Sequence, residues 1–211
     1  MAGAEAFLAA VLALIDRTPA RPGRRRVIAI AGPPGSGKTT LGAQVVTALE
    51  ARRPGRAVLV PMDGFHLDNA TLDRAGLRAV KGAPQTFDVA GFVARVREIG
   101  VAGRACRFPR FDRRLDRTLP DAGEAGAAVE TVVVEGNYLL LREEGWSELP
   151  PLFDASVMLA PASEVLEDRL VRRWLAHGLA PEAAREKALR NDMVNARRVL
   201  EGSAAADLVL R

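Results

Sequence analysis

"RRRVIAIAGPPGSGKTT", residues 24–40, decides the fold. The run Val27–Ile30 is continuously apolar rather than alternating, which predicts a strand buried on both faces. A loop with three glycines follows, and from residue 37 onward the pattern is helical. Gly32, Gly37, Lys38 and Thr39 satisfy G-x-x-x-x-G-K-[ST] in the one setting where that pattern has a mechanism, between a strand and a helix. Glycine lets the backbone turn its amides inward as an anion cradle, and the helix N-terminus adds the positive end of its dipole. The lysine then reaches β- and γ-phosphates while the threonine hydroxyl ligates magnesium. Gly32, Pro33, Pro34, Gly35, Ser36, Gly37, Lys38, Thr39 and Thr40 are therefore the expected nucleotide loop, with ATP and Mg²⁺ as its ligands. A merely structural turn has no use for the lysine and threonine together.

Outward from this loop, further apolar runs fall at 57–62, 131–136, 155–159 and 207–210. Helical patterns at 37–52, 88–99, 163–177 and 181–200 alternate with them, and a first helix is expected around Phe7–Ile15. The reading is an α/β parallel sheet, with residues 121–128 ("DAGEAGAA") as a loop before a strand. A length of 211 residues with 48% apolar content suits one core rather than two, so a single domain over 1–211 is expected.

Charge and cysteine content narrow the classes. The net charge of +4 comes from arginines scattered along the chain, with lysines only at 38, 81 and 187, and lacks the clustered basic stripe of a nucleic-acid binder. Cys106 stands alone, which excludes an internal disulfide and suits a reducing, cytoplasmic setting. The apolar stretch Ala6–Ile15 is too short to span a bilayer, so no membrane association is expected.

A nucleotide loop of this kind needs a carboxylate near its metal, and Glu135 ends the apolar run "TVVVEG" at the expected edge of the sheet. It reads either as the Mg²⁺-associated acid or as a carboxylate closing a loop. "VPMDGFHLDN" ends another strand, and strand ends in a parallel sheet face a common crevice. Asp63 there reads as a general base for an attacking hydroxyl, or as an Asx turn in "MDGF". His66 reads as an acceptor ligand or as packing. No N-K-x-D accompanies the loop, and the D-x-x-G at Asp73–Gly76 lies away from a metal-binding strand, which argues against a GTPase switch. A kinase for small molecules is expected. The other class, a regulatory ATPase acting on a protein partner, needs the phosphate loop but no base aimed at an acceptor.

"GPPGSGKTT", "PMDGFHLDN", "KGAPQTFDV", "FPRFDRRLDR", "VVVEGNYLLL" and "RLVRRWLAHGL" together resemble the phosphoribulokinase, uridine kinase and bacterial pantothenate kinase group of P-loop kinases, over about residues 25–200. Within it the likeness is especially to bacterial nucleoside/nucleotide kinase family proteins, including fructokinase-like ones. The resemblance implies a P-loop NTPase three-layer sandwich: a five-stranded parallel sheet, helices on both faces and a small helical lid at about 168–185. It also implies an aspartate base at Asp63 and arginines on the lid. Arg169, Arg172 and Arg173 stand at i, i+3 and i+4, so one helix face presents three guanidiniums. Arg169 and Arg172 are taken as catalytic with Lys38, and Arg173 as a nucleotide contact; a solvated basic face is the competing reading. Similarity to pantothenate kinases places Lys81, Phe87 and Asp88 beside the acceptor. The stretch 107–117 reads as the opposite wall, with Phe108 and Phe111 sandwiching the acceptor while Arg110, Asp112 and Arg113 offer polar contacts, or else as an amphipathic strand. Tyr138 is the sole tyrosine, whereas uridine kinases carry a tyrosine-rich acceptor segment. A sugar such as fructose, a nucleoside or a pantothenate-like acceptor stays open, as does a homodimer.

Overall fold

The computed structural model describes residues 2–211. Helix α1 (Ala2–Arg17) precedes β1 (Arg26–Ala31), α2 (Lys38–Arg52), β2 (Ala57–Pro61), α3 (Asn69–Arg74) and α4 (Val89–Ile99). A hairpin of β3 (Cys106–Asp112) and β4 (Arg117–Ala125) leads to β5 (Thr131–Gly136) and β6 (Ala155–Leu159). Helices α5 (Ser163–Ala176), α6 (Pro181–Lys187) and α7 (Met193–Gly202) follow, and β7 (Leu208–Leu210) closes the chain.

The main sheet has five parallel strands in the order β2-β5-β1-β6-β7. Its strands carry apolar side chains on both faces because both faces are covered. Val27, Ala29, Val132 and Val134 pack with Phe92, Val93 and Val96 of α4 and with Val199 of α7. The alternate residues Ile28, Ile30, Val133 and Val157 pack with Val11 and Ile15 of α1 and with Leu41 and Val45 of α2. This is the three-layer α/β architecture expected of a P-loop NTPase. A separate small core joins α5 and α7 through Leu166, Leu170, Met193 and Ala196. Among the described residues no helix is long and apolar enough to cross a membrane.

Three local expectations are corrected. Residues 121–125 are strand rather than loop, because pairing with β3 (Cys106 opposite Ala125, Phe108 opposite Gly123) imposes extended backbone on a Gly/Ala-rich sequence with little strand propensity of its own. The helix expected over 181–200 is interrupted by a π turn, Ala188–Asp192. Phe108 does not wall an acceptor: it is buried with its ring over Gly123, inside the core.

The arginine run before β1 is also not a surface feature throughout. Arg25 is buried, and its guanidinium donates to the carbonyls of Ile99, Arg104, Gly126 and Val129. It therefore fastens the ends of α4 and of the β3–β4 hairpin to the base of the sheet.

Candidate active site

The phosphate loop leaves β1 in the middle of the sheet. Gly37 takes a left-handed backbone (φ 91°) at the start of α2, and no side chain caps that helix. Its first N–H groups are thus free for an anion, as a phosphate cradle requires. Glu135 lies in register with Ile30 on one side and Pro61 on the other. The strand order therefore sets it between the strand that feeds the loop and the strand that ends at Asp63. Thr39 Oγ1 donates to Glu135 Oε2 at 3.1 Å. Burial pushes the Glu135 carboxyl up, opposed chiefly by the Lys38 ammonium. Burial likewise pushes Lys38 down, opposed by Glu135 and Asp63. Each shift favours the uncharged form, and a bound polyphosphate would favour the ammonium in turn. Among the described residues no group of three or more His, Cys, Asp and Glu side chains could hold a metal. One hydroxyl and one carboxylate beside a phosphate cradle suit Mg²⁺, which takes few protein ligands and completes its shell from phosphate and water.

Asp63 sits in a short 3₁₀ turn, Met62–Phe65, directly after β2. Its carboxylate accepts from Arg113 Nη2 at 2.8 Å, so the side chain is not spent on an Asx turn. The next residue is glycine because the hairpin passes against it: a Cβ on Gly64 would lie 2.2 Å from the Pro109 carbonyl oxygen. Gly64→Ala is therefore expected to push the Asp63 turn and the hairpin apart. Overpacking costs about 1–3 kcal/mol, or a fall in Tm of roughly 2–12 °C at this chain length, with a loss of turnover beside it. Melting and kcat measured on the same preparation check this.

The loop after α3 and the hairpin tip meet across the cavity. Lys81 Nζ donates to Asn69 Oδ1 (2.8 Å), to Asp116 Oδ1 (2.7 Å) and to the Asp116 carbonyl (3.4 Å). These contacts engage all three donors of the ammonium within the protein. Lys81 thus clamps the hairpin tip, where Asp116 holds a left-handed backbone (φ 49°). His66 stacks on Phe87 at 4.0 Å and meets the tilted ring of Phe111 at 5.0 Å. Burial pushes its imidazole down to about 4, so it is neutral at physiological pH. Asp88 caps α4 by accepting from Gly91 N at 2.9 Å. Asp112 closes the hairpin turn, accepting from Arg114 N (2.9 Å) and Leu115 N (3.0 Å). Neither Asp112 nor the exposed Arg110 lies on the cavity wall, whereas Phe111, Arg113 and Asp116 do. The tip reverses the chain between them, and the register shift after Phe108 re-aims β3.

The three helical arginines separate. Arg169 Nη1 donates to the carbonyls of Gly35 (3.2 Å) and Ser36 (3.4 Å), bracing the phosphate loop from outside. Arg172 pairs with Asp168 one turn earlier, its side chain 75% exposed, away from the cavity. Arg173, read from the sequence as a nucleotide contact, reaches the cavity wall. Beside it, Trp174 Nε1 donates to Asp192 at 2.6 Å and Lys187 lies 4.0 Å over the indole. Asn191 Nδ2 donates to the Lys81 carbonyl at 3.4 Å, tying the π turn to the clamp. Asn137, Asn191, Asp192 and Asn195 all line the cavity and were not singled out in the sequence. The one available signal was the polar i, i+4 pair Asn191 and Asn195 inside an otherwise amphipathic helix pattern.

These parts surround one cavity of about 710 Å³ that holds Lys38, Thr39, Asp63, His66, Lys81, Phe87, Phe111 and Arg173 on its wall. No protein-family model matches the chain. It is 39% identical to Escherichia coli YggC over 90% of this chain and 78% of that protein. It is 35% identical, over 89% of this chain and 83% of the relative, to a Schizosaccharomyces pombe protein provisionally named a uridine kinase. The chain belongs to the phosphoribulokinase, uridine kinase and pantothenate kinase group of P-loop kinases. A crystal structure from Silicibacter sp. TM1040, of a kinase provisionally assigned to a fructose transport system, superposes on this kinase with a TM-score of 0.90, at 40% identity over 97% of this chain and 98% of that one. Membership makes the protein a phosphotransferase with an alcohol group of a small molecule as acceptor. Membership likewise implies that the kinase uses ATP.

Proposed function

We propose that this kinase transfers the γ-phosphate of ATP to a hydroxyl of a small metabolite, with Asp63 as general base and with Mg²⁺ held by Thr39 and Glu135. One observation carries this reading: Asp63 shares a cavity with Lys38 and Thr39 while its carboxylate is free of any turn hydrogen bond to the backbone. A carboxylate so placed orients the attacking hydroxyl and takes its proton as the bond to phosphorus forms. Mg²⁺ held there would supply charge neutralisation for the phosphoryl transfer. Lys38 and the free amides of α2 hold those phosphates.

The hairpin of α5 and α6, about residues 168–185, serves as a lid in this reading, and Arg173 is the arginine it brings to the phosphates. Arg173→Ala is expected to lower kcat by about 10- to 100-fold, the worth of a charge-assisted hydrogen bond, with ATP affinity largely kept. Arg172→Ala should stay within about twofold, since a solvent-exposed pair contributes little. Equal losses in the two variants would remove this assignment. Arg169 acts through the loop it braces.

The relatives' names point to different acceptors, so the acceptor is identified by experiment. The full chain with MgATP is screened for ADP release against sugars including fructose, nucleosides, pantothenate and glycerate, and the product is identified by mass. Acceptor-dependent ADP release supports the kinase reading. Hydrolysis that answers only to a protein partner would replace it with a regulatory ATPase.

A further inference from the structure

The acceptor end of the cavity carries more positive charge than it can pair internally. On its wall Arg78, Lys81 and Arg113 face two carboxylates, Asp63 and Asp116. Lys81 and Asp116 satisfy each other at 2.7 Å, within the clamp that also engages Asn69. Arg78 stands further off, 3.4 Å from Asp116 and 3.6 Å from Asp73, whose side chain is 60% exposed and lies off the cavity wall. Solvent screens so exposed a pair, and it neutralises little. Arg113 has a single carboxylate partner, Asp63, met through one nitrogen at 2.8 Å. A guanidinium has five N–H donors in a planar fork, so most of those on Arg113 are free beside the group that must accept the acceptor's hydroxyl proton.

We propose that the acceptor is a hydroxy acid, with Arg113 binding its carboxylate next to the hydroxyl that Asp63 deprotonates. This rests on the kinase reading above and deepens it. When Asp63 turns to a substrate hydroxyl, Arg113 loses part of its counter-charge, and a substrate carboxylate restores it in the bidentate geometry that guanidinium groups favour. One negative charge on the acceptor also balances the surplus of three cations over two carboxylates at this end of the wall. A neutral sugar or nucleoside offers only dipoles to that surplus. The Lys81–Asp116 clamp is a positioning device here: it fixes the hairpin tip that carries Arg113 and spends its own charge inside the protein.

The test compares D-glycerate and pantothenate with their uncharged counterparts glycerol and pantothenyl alcohol, and with fructose and uridine, using the full chain, MgATP and product mass. The expected result is turnover of a hydroxy acid with kcat/KM at least about tenfold above its uncharged counterpart. Arg113→Gln should then raise the acceptor KM by about 10- to 100-fold, leave the KM for ATP within twofold, and be partly rescued by Arg113→Lys, which keeps the charge but not the fork. Phosphorylation of fructose or uridine with none of the hydroxy acids overturns this proposal and leaves the kinase reading standing. So does an Arg113→Gln enzyme with unchanged acceptor KM. No turnover of any acceptor in either class overturns both.

Discussion

Lys38→Ala is expected to lower kcat by about 10³-fold, the upper range for removing one preorganised donor from a developing charge, without lowering the melting temperature of the nucleotide-free protein. The second half follows from its surroundings. Lys38 stands among Glu135, Asp63 and the cavity rather than in any apolar cluster, and burial already pushes its ammonium down. Removing it relieves that desolvation and leaves no core void. Its loss also takes away the main influence that opposes burial at Glu135, so the Glu135 carboxyl should rise further. The sign matters for pH dependence. A carboxyl raised by burial is charged only at higher pH, so any Mg²⁺-dependent activity left in the variant should shift toward alkaline pH. The stabilisation that ATP gives the wild type in a melting experiment should shrink as well, because a ligand stabilises only in proportion to its binding. Unchanged turnover would take the phosphate loop out of the mechanism.

Where the sequence was informative, the information was local. The loop at 31–40, the apolar strands and the acids at Asp63 and Glu135 each announce themselves within ten residues, because backbone conformation and burial dictate residue type at short range. What could not be read depends on long-range pairing. That Glu135 stands between Ile30 and Pro61 is a matter of strand order, which no local pattern encodes. The strand at 121–125 exists because Phe108 and Cys106 lie opposite it, although its own composition reads as loop. Arg25 and Arg113 look alike in sequence, yet one is sealed against four backbone carbonyls and the other lies at the Asp63 carboxylate. Lys81 shows the same limit from the other side: the resemblance to pantothenate kinases implies that it borders the acceptor, and the structure puts it on the cavity wall, but only the contacts reveal that its donors are already engaged. The π turn at Ala188–Asp192 re-aims Asn191 and Asp192, and a one-residue change in helical phase leaves no mark on the apolar periodicity.

Asp63→Asn should lower kcat by about 10²- to 10⁴-fold, the worth of a positioned general base, while the KM for ATP stays within a few-fold. The substitution is nearly isosteric, and the amide oxygen still accepts from Arg113, so the hairpin contact and the melting temperature should persist. What disappears is the ability to take a proton, which is felt only when an acceptor hydroxyl attacks. Magnesium dependence should remain, because Thr39 and Glu135 are untouched and bonded to each other. A structural role for Asp63 predicts the opposite pattern, with a lower melting temperature and parallel losses in ATP binding and turnover. Single-turnover measurement with saturating ATP separates the two, since it reads the chemical step apart from nucleotide affinity and product release. A variant that phosphorylates its acceptor at the wild-type rate would show that another group takes the proton, and among the described residues on the cavity wall the remaining carboxylates are Asp116, bound into the Lys81 clamp, and Asp192, bonded to Trp174. Both are committed within the protein, whereas Asp63 meets only the one Arg113 nitrogen, and this supports the proposal of Asp63 as the base.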